Sequence, residues 1–187
     1  MLACGIAAGR CNEVEITREF EQELLDAGLV LQVPENFSAV DTKANDRVHY
    51  SGAIAANGAK LELRYHIVSL KPQPLPEGYT SIASADMNQL HIPHYLALIQ
   101  NVANRVIAEP NPFPEHAVKA EFGADWGAVC RLGLAPSSFG EGYSECMLVC
   151  LHRRDLADAY IFFMFDDYSA VAKVIESNFY TLTFARG

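Results

Sequence analysis

The sequence predicts an α+β fold: a largely antiparallel sheet of about seven strands flanked by helices on both faces, as in an α/β/α sandwich. Two late segments, "MLVCL" (147–151) and "YIFFMF" (160–165), are apolar at every position, which indicates central strands covered on both faces. An earlier segment (48–67) alternates apolar and polar residues around Asn57-Gly58, the pattern of a β-hairpin. Amphipathic stretches separate these groups of strands and supply the helical layers.

Three stretches have helical periodicity. In "NEVEITREFEQELLDAG" (12–28), Asn12 and Glu15 have capping-box spacing, Ile16, Phe20 and Leu24 form an apolar stripe, and Gly28 is placed as the residue after the C-cap. A second helix begins near Pro93 and ends at "EPNPFPE" (109–115), with a buried stripe of Leu96, Ile99, Val102 and Val106. A third helix, "DYSAVAKVIESNF" (167–179), begins with Asp167 or Ser169 as its cap.

The remaining strands follow from runs of apolar and β-branched residues. "LVLQVPENFSAV" (29–40) predicts a strand that Pro34 interrupts or places at an edge. Three segments that begin at Ala117, Ser144 and Ala159 predict an antiparallel meander, and "YTLTF" (180–184) predicts a closing strand. We expect residues 1–28 to form an N-terminal segment and helix that pack on a single sandwich domain, 29–187.

The hairpin is predicted in detail. A two-residue type I′ turn at Asn57-Gly58 pairs Ile54 with Leu61 and Tyr50 with Tyr65. The apolar face of the hairpin then consists of Val48, Tyr50, Gly52, Ile54, Leu61, Leu63, Tyr65 and Ile67. The opposite face carries His49, Ser51, Glu62, Arg64 and His66. One arginine and two histidines on a single face are unusual in a chain of net charge −9.

Composition excludes several classes of function. The net charge of −9 disfavours nucleic acid and anionic membranes as partners, because both require basic patches. No apolar run reaches the ~18 residues of a membrane span. The five cysteines are not evenly spaced, and Cys146 and Cys150 lie too far apart on one strand to bridge each other. Buried free thiols favour a reducing compartment, and we expect a cytoplasmic protein of bacterial type. The alternative is an envelope lipoprotein anchored through Cys4, if a signal segment precedes "LACG" (2–5).

From "VLQVPENF" onward, the succession of strand, hairpin, helix, three-strand meander, helix and last strand resembles the PsbP-like fold. "VPENF" (33–37) and "FGADWGA" (122–128) add to this resemblance, which covers most of residues 29–187. The fold is shared by an extrinsic photosystem II protein, a Ran-binding nuclear-import factor and bacterial proteins of unknown role. The family is mostly non-enzymatic, so the resemblance implies a binding or scaffold protein.

Two places could bind a ligand. Arg64, flanked by His49 and His66, could hold an anion through its planar guanidinium. We expect instead a solvated face on which Arg64 pairs with Glu62 or a nearby carboxylate. In "GADWG" (123–127), Asp125 and the single Trp126 could form the rim and wall of a pocket, whereas a kinked strand with Trp126 in the core is the expected arrangement.

Two further patterns are weaker. His91 and His94 with Asp86 have spacing that could hold a metal, but Pro93 between them marks a helix start, where polar residues are expected anyway. Cys150 and His152 share a strand face, yet Cys150 is predicted to be buried rather than poised as a nucleophile. We therefore expect no metal, cofactor or catalytic residue.

The sequence thus favours a non-catalytic binding or scaffold protein whose partner is a protein or a small anionic ligand. The alternatives are an enzyme that uses the hairpin face and the Asp125-Trp126 strand, and the lipoprotein. The oligomeric state is left open.

Overall fold

The computed structural model describes residues 16–71 and 86–186, and a seven-stranded sheet forms its centre. The strands are β1 (Leu29–Leu31), β2 (Phe37–Ala39), β3 (Gly52–Ala56), β4 (Glu62–Ser69), β5 (Ala103–Pro112), β6 (Trp126–Leu134), β7 (Glu145–Arg153), β8 (Ala157–Phe165) and β9 (Leu182–Phe184). The order across the sheet is β2-β3-β4-β8-β7-β6-β5, and every neighbouring pair is antiparallel. Strands β1 and β9 form a separate two-stranded sheet.

Helices cover both faces of the sheet, as predicted. They are α1 (Arg18–Asp26), α2 (His91–Val102), α3 (Glu115–Phe122) and α4 (Tyr168–Ser177), with a short 3-10 helix at Met87–Gln89 before α2. Helices α1, α3 and α4 and the small sheet contribute to one apolar core, whereas α2 and two loops contribute to the other. Every residue of β8 is buried between these two layers, which confirms the central-strand prediction.

Local signals position α1. Thr17 is its N-cap and accepts a hydrogen bond from the Phe20 amide at 3.3 Å, so the helix begins later than the spacing of Asn12 predicted. Asn12 and Glu15 lie outside the described residues. Gly28 has φ +66° directly after the C-cap, as expected of a C′ glycine. The Phe20 ring lies against the backbone of Gly52, where an added Cβ would overlap the ring.

The second predicted helix is too long. Helix α2 ends at Val102, and the residues that follow form edge strand β5, where Val106 is exposed rather than buried. Leu96 is also exposed, and Tyr95 and Leu98 join Ile99 and Val102 on the buried side. Two of the three prolines that were predicted to end the helix, Pro110 and Pro112, lie in β5, which is tolerated because an edge strand leaves alternate amides unpaired. Pro114 is the N-cap of α3 (Glu115–Phe122).

Part of the predicted meander is helical. Strands β6, β7 and β8 do form the meander, but residues 115–122 form α3, which ends at Gly123 with φ +63°. Asp167 is the N-cap of α4, as predicted, and Pro34 separates β1 from β2. The closing strand exists, but it pairs with β1 outside the main sheet.

The predicted hairpin register is wrong by two residues. Ile54 lies opposite Leu63, and Tyr65 lies opposite Gly52 rather than Tyr50. The connection is a longer turn, in which Gly58 has φ +96° while Asn57 does not take the positive φ of a type I′ turn. A shift of two residues keeps the side chains of β3 and β4 on their predicted faces, so apolar matching alone does not discriminate between these registers. The predicted face is wrong for Val48 and Tyr50, which pack in the other core, because β3 begins only at Gly52 and its alternation does not extend to the residues before it.

Candidate functional site

Two rungs of side chains cross the sheet on the face that α2 covers. The first consists of His66 on β4, Tyr160 on β8 and Cys150 on β7, which lie directly opposite one another. The second, one step along, contains Asp158 on β8, His152 on β7 and Trp126 on β6. Lateral neighbours in a sheet project from the same face, so these side chains form a continuous polar and aromatic surface.

The first turn of α2 places two more imidazoles on this surface. The His91 ring stacks on that of His152, with centroids 4.1 Å apart and an interplanar angle of 15°. The His94 ring meets that of His66 edge-on at 5.9 Å. We call His66, His91, His94 and His152 the histidine cluster. Three of its members are half-buried, and His152 is buried.

Hydrogen bonds fix the orientation of three of these rings. His152 Nδ1 lies 2.7 Å from Asp158 Oδ1, and it donates because a carboxylate only accepts. His91 Nδ1 likewise donates to the Asn88 carbonyl at 2.8 Å. The Tyr160 hydroxyl lies 3.1 Å from His94 Nδ1.

Burial shifts the titration of the groups in the first rung. Burial first, and then the neighbouring charges of His94 and His49, lower the pKa of His66 from 6.5 to about 4. Burial also raises the pKa of the Cys150 thiol well above its usual value and that of the Tyr160 hydroxyl far above 10. The thiol and the phenol are therefore neutral at physiological pH.

Arg64 does not lie on a solvated face, contrary to our expectation. Its side chain is 1% exposed, its Nε lies 2.5 Å from Glu62 Oε1, and a terminal nitrogen donates to the Phe139 carbonyl. The guanidinium also contacts the rings of Tyr50, Phe139 and Tyr143. The loop that follows β6 covers the face, so Arg64 is a buried charge that joins the loop to the sheet.

His49 is exposed and lines an open groove of about 700 Å³ beside α1. The groove is also lined by Arg18 and by three carboxylates, those of Glu19, Glu23 and Asp26. This charge balance disfavours an anion. The structure therefore separates His49, on the groove, from the buried Arg64.

Asp125 and Trp126 lie at the far side of the histidine cluster. Trp126 is half-buried against His91, with centroids 4.9 Å apart, and against Tyr95 at 6.1 Å. Asp125 is exposed and accepts a hydrogen bond from the Arg154 amide at 2.9 Å. His49, Arg64 and Asp125 thus lie apart from one another, whereas His66 and Trp126 belong to the same surface of the sheet, and ligand binding by these five residues stays a prediction.

The structure places the residues of the two weaker patterns. His91 and His94 point toward the sheet at the start of α2, and across residues 16–71 and 86–186 no three His, Cys, Asp or Glu side chains are grouped as ligands for a metal. Cys150 has no solvent exposure, and His152 is bonded to Asp158. Sequence reasoning missed the histidine cluster. The alternation of side chains along a strand did assign His66 to the polar face of the hairpin and His152 to the same strand face as Cys150.

An exposed apolar surface lies next to the cluster. Four large side chains within ten residues are 38–45% exposed: Met87, Leu90, Ile92 and Leu96. Ile92 and Leu96 are one helical turn apart, on the side of α2 that faces solvent. We call these four residues the apolar strip.

Comparisons with known proteins give a likeness of fold. The chain is similar to the solution structure of cyanobacterial PsbP (CyanoP) from Synechocystis sp. PCC 6803, with a TM-score of 0.49 and 11% identity over 97% of this chain and 98% of that one. No protein-family model and no curated protein matches the chain. Within the described residues, no helix is long and apolar enough to cross a membrane.

Proposed function

We propose that this chain is a non-catalytic binding protein that docks a protein partner on the apolar strip. The observation that carries the proposal is the exposure of Met87, Leu90, Ile92 and Leu96 together. Single exposed apolar residues are ordinary, but a group of them on one face is typical of an interaction surface. The eight large apolar side chains that are exposed in the described residues include these four.

The chemistry of the partner follows from the strip and its border. The strip offers apolar contact, and the partner must supply apolar side chains to cover it. Exposed carboxylates of Asp86 and Asp155 border the strip beside Arg154, and the whole chain carries a net charge of −9. The partner we propose is therefore a protein with an apolar centre and a net basic rim.

Photo-crosslinking tests the proposal. A photoreactive residue in place of Leu96 should give one discrete protein adduct in cells of the source organism. The matched control is Leu25 on α1, which is 70% exposed and belongs to the opposite face of the sheet. Equal, diffuse labelling from both positions would contradict a specific docking surface.

The other interpretations stay predictions. Reducing surroundings, such as the cytoplasm, are favoured by the buried free thiols of Cys130, Cys146 and Cys150. A lipoprotein anchor would use Cys4, which lies outside the described residues. An enzyme built on the hairpin face and the Asp125-Trp126 strand would need these two places to share a pocket.

A further inference from the structure

The contacts within the histidine cluster suit neutral imidazoles. His91 and His152 stack almost face to face at 4.1 Å, and His66 lies 5.9 Å from His94. Neutral rings pack well at these separations, but two imidazolium ions repel each other, and partial burial strengthens the repulsion. Both contacts join α2 to the sheet.

The groups around the cluster compensate only part of an added charge. Inside it, the Asp158 carboxylate is bonded to His152, and Tyr160, Cys150, Tyr95 and Trp126 are uncharged. At its border, the His49 backbone lies within hydrogen-bonding reach of the His66 ring, and the charge of His49 lowers the pKa of His66. At the start of α2, the Asn88 carbonyl holds His91, and the charged groups there are the exposed Asp86, Asp125, Asp155 and Arg154.

We propose that the histidine cluster makes the docking of α2 on the sheet acid-sensitive, so that acidification releases the first turns of this helix. Protonation of His66 adds positive charge beside the His94 ring, and the one buried carboxylate of the cluster, Asp158, is already bonded to His152. Release lets each imidazolium reach water and separates the stacked rings. Because α2 also carries Ile92 and Leu96, acidification would weaken partner binding, a consequence that rests on the proposed function.

The sign of the effect follows from His66. Its pKa is about 4 in the docked state, whereas a solvated histidine titrates near 6.5. Between these values the released state binds a proton that the docked state does not, so lowering the pH favours release. Above pH 6.5 both states are neutral and the docked state keeps its full stability.

Hydrogen exchange of the α2 amides at pH 7.5 and 5.0, corrected for intrinsic rates, tests this inference. We expect the protection of residues 94–100 to fall by about 30-fold, the ratio for one histidine taken 1.5 pH units below 6.5. Amides of α4, on the other face of the sheet, should change much less. Equal loss of protection in α2 and α4 would overturn the proposal.

Two variants sharpen the test. His66→Gln should remove most of the pH dependence in α2, whereas His116→Gln should keep it, because His116 is exposed on α3 away from the cluster. Persistence of the full dependence in a folded His66→Gln variant would refute the mechanism. If that variant does not fold, NMR titration of the native protein decides, since a His66 pKa at or above 6.5 would also refute it. Neither measurement involves a partner, so both are independent of the crosslinking result.

Discussion

Replacing Arg64 with alanine removes a charge that the protein has enclosed on every side. The guanidinium lies 5.0 Å from the centroid of the Tyr50 ring, 5.2 Å from that of Phe139 and 5.8 Å from that of Tyr143. Its loss also removes the partner of the Phe139 carbonyl and the positive charge that pairs with the Glu62 carboxylate, which is 14% exposed and keeps only its hydrogen bond from the Tyr143 hydroxyl. Breaking a buried pair in this way costs about 3–5 kcal/mol of unfolding free energy.

Urea unfolding measures this cost directly. With a slope of about 2 kcal/mol/M, the midpoint should fall by about 2 M. The double variant Arg64→Met, Glu62→Gln should recover most of the loss, because it removes both charges and keeps much of the volume. A cost for Arg64→Ala below about 1 kcal/mol, typical of exposed pairs, would refute the buried arrangement.

Three further predictions concern the core and its titration. Gly52→Ala should lower the free energy of unfolding in urea by about 1–3 kcal/mol, because the added Cβ overlaps the Phe20 ring, and adding Phe20→Leu should recover part of this loss. An unchanged midpoint for Gly52→Ala would contradict this packing. The free energy of unfolding should fall by about 2 kcal/mol between pH 7.5 and 5.0, because His66 binds a proton in the unfolded chain that it does not bind in the folded one. A His66→Gln variant with the same slope would contradict that assignment. Burial raises the pKa of Cys130 to about 11, and both Cys130 and Cys146 should resist iodoacetamide at pH 8.5 until urea unfolds the chain. Rapid labelling of the native protein would instead place these thiols at a surface.

The central strands were predictable because their signal is local. Strands β7 and β8 contain segments, 147–151 and 160–165, that are apolar at every position, and only burial on both faces accommodates such a run. Gly28 and Asp167 marked helix ends through cap chemistry that depends on a few neighbouring residues. These features do not depend on which distant segment packs against them.

The wrong or missing predictions concern features that depend on contacts between segments distant in the sequence. Arg64 was assigned to the correct strand face, but the loop that covers it contacts it through Phe139, 75 residues away. Strand β5 was missed because Pro110 and Pro112 argue against a strand unless it lies at an edge. The histidine cluster joins side chains from α2, β4 and β7, and no local spacing links them.

The affinity of the partner recovered through the Leu96 crosslink decides whether the apolar strip is the docking surface. The variant Ile92→Asp, Leu96→Asp should bind at pH 7.5 about 100-fold more weakly, since two apolar anchors each contribute over about 1 kcal/mol. Leu25→Asp, an equally drastic change on the opposite face, should bind as the unmodified protein does. Unchanged affinity in the double variant, with its midpoint of urea unfolding preserved, would contradict docking on the apolar strip.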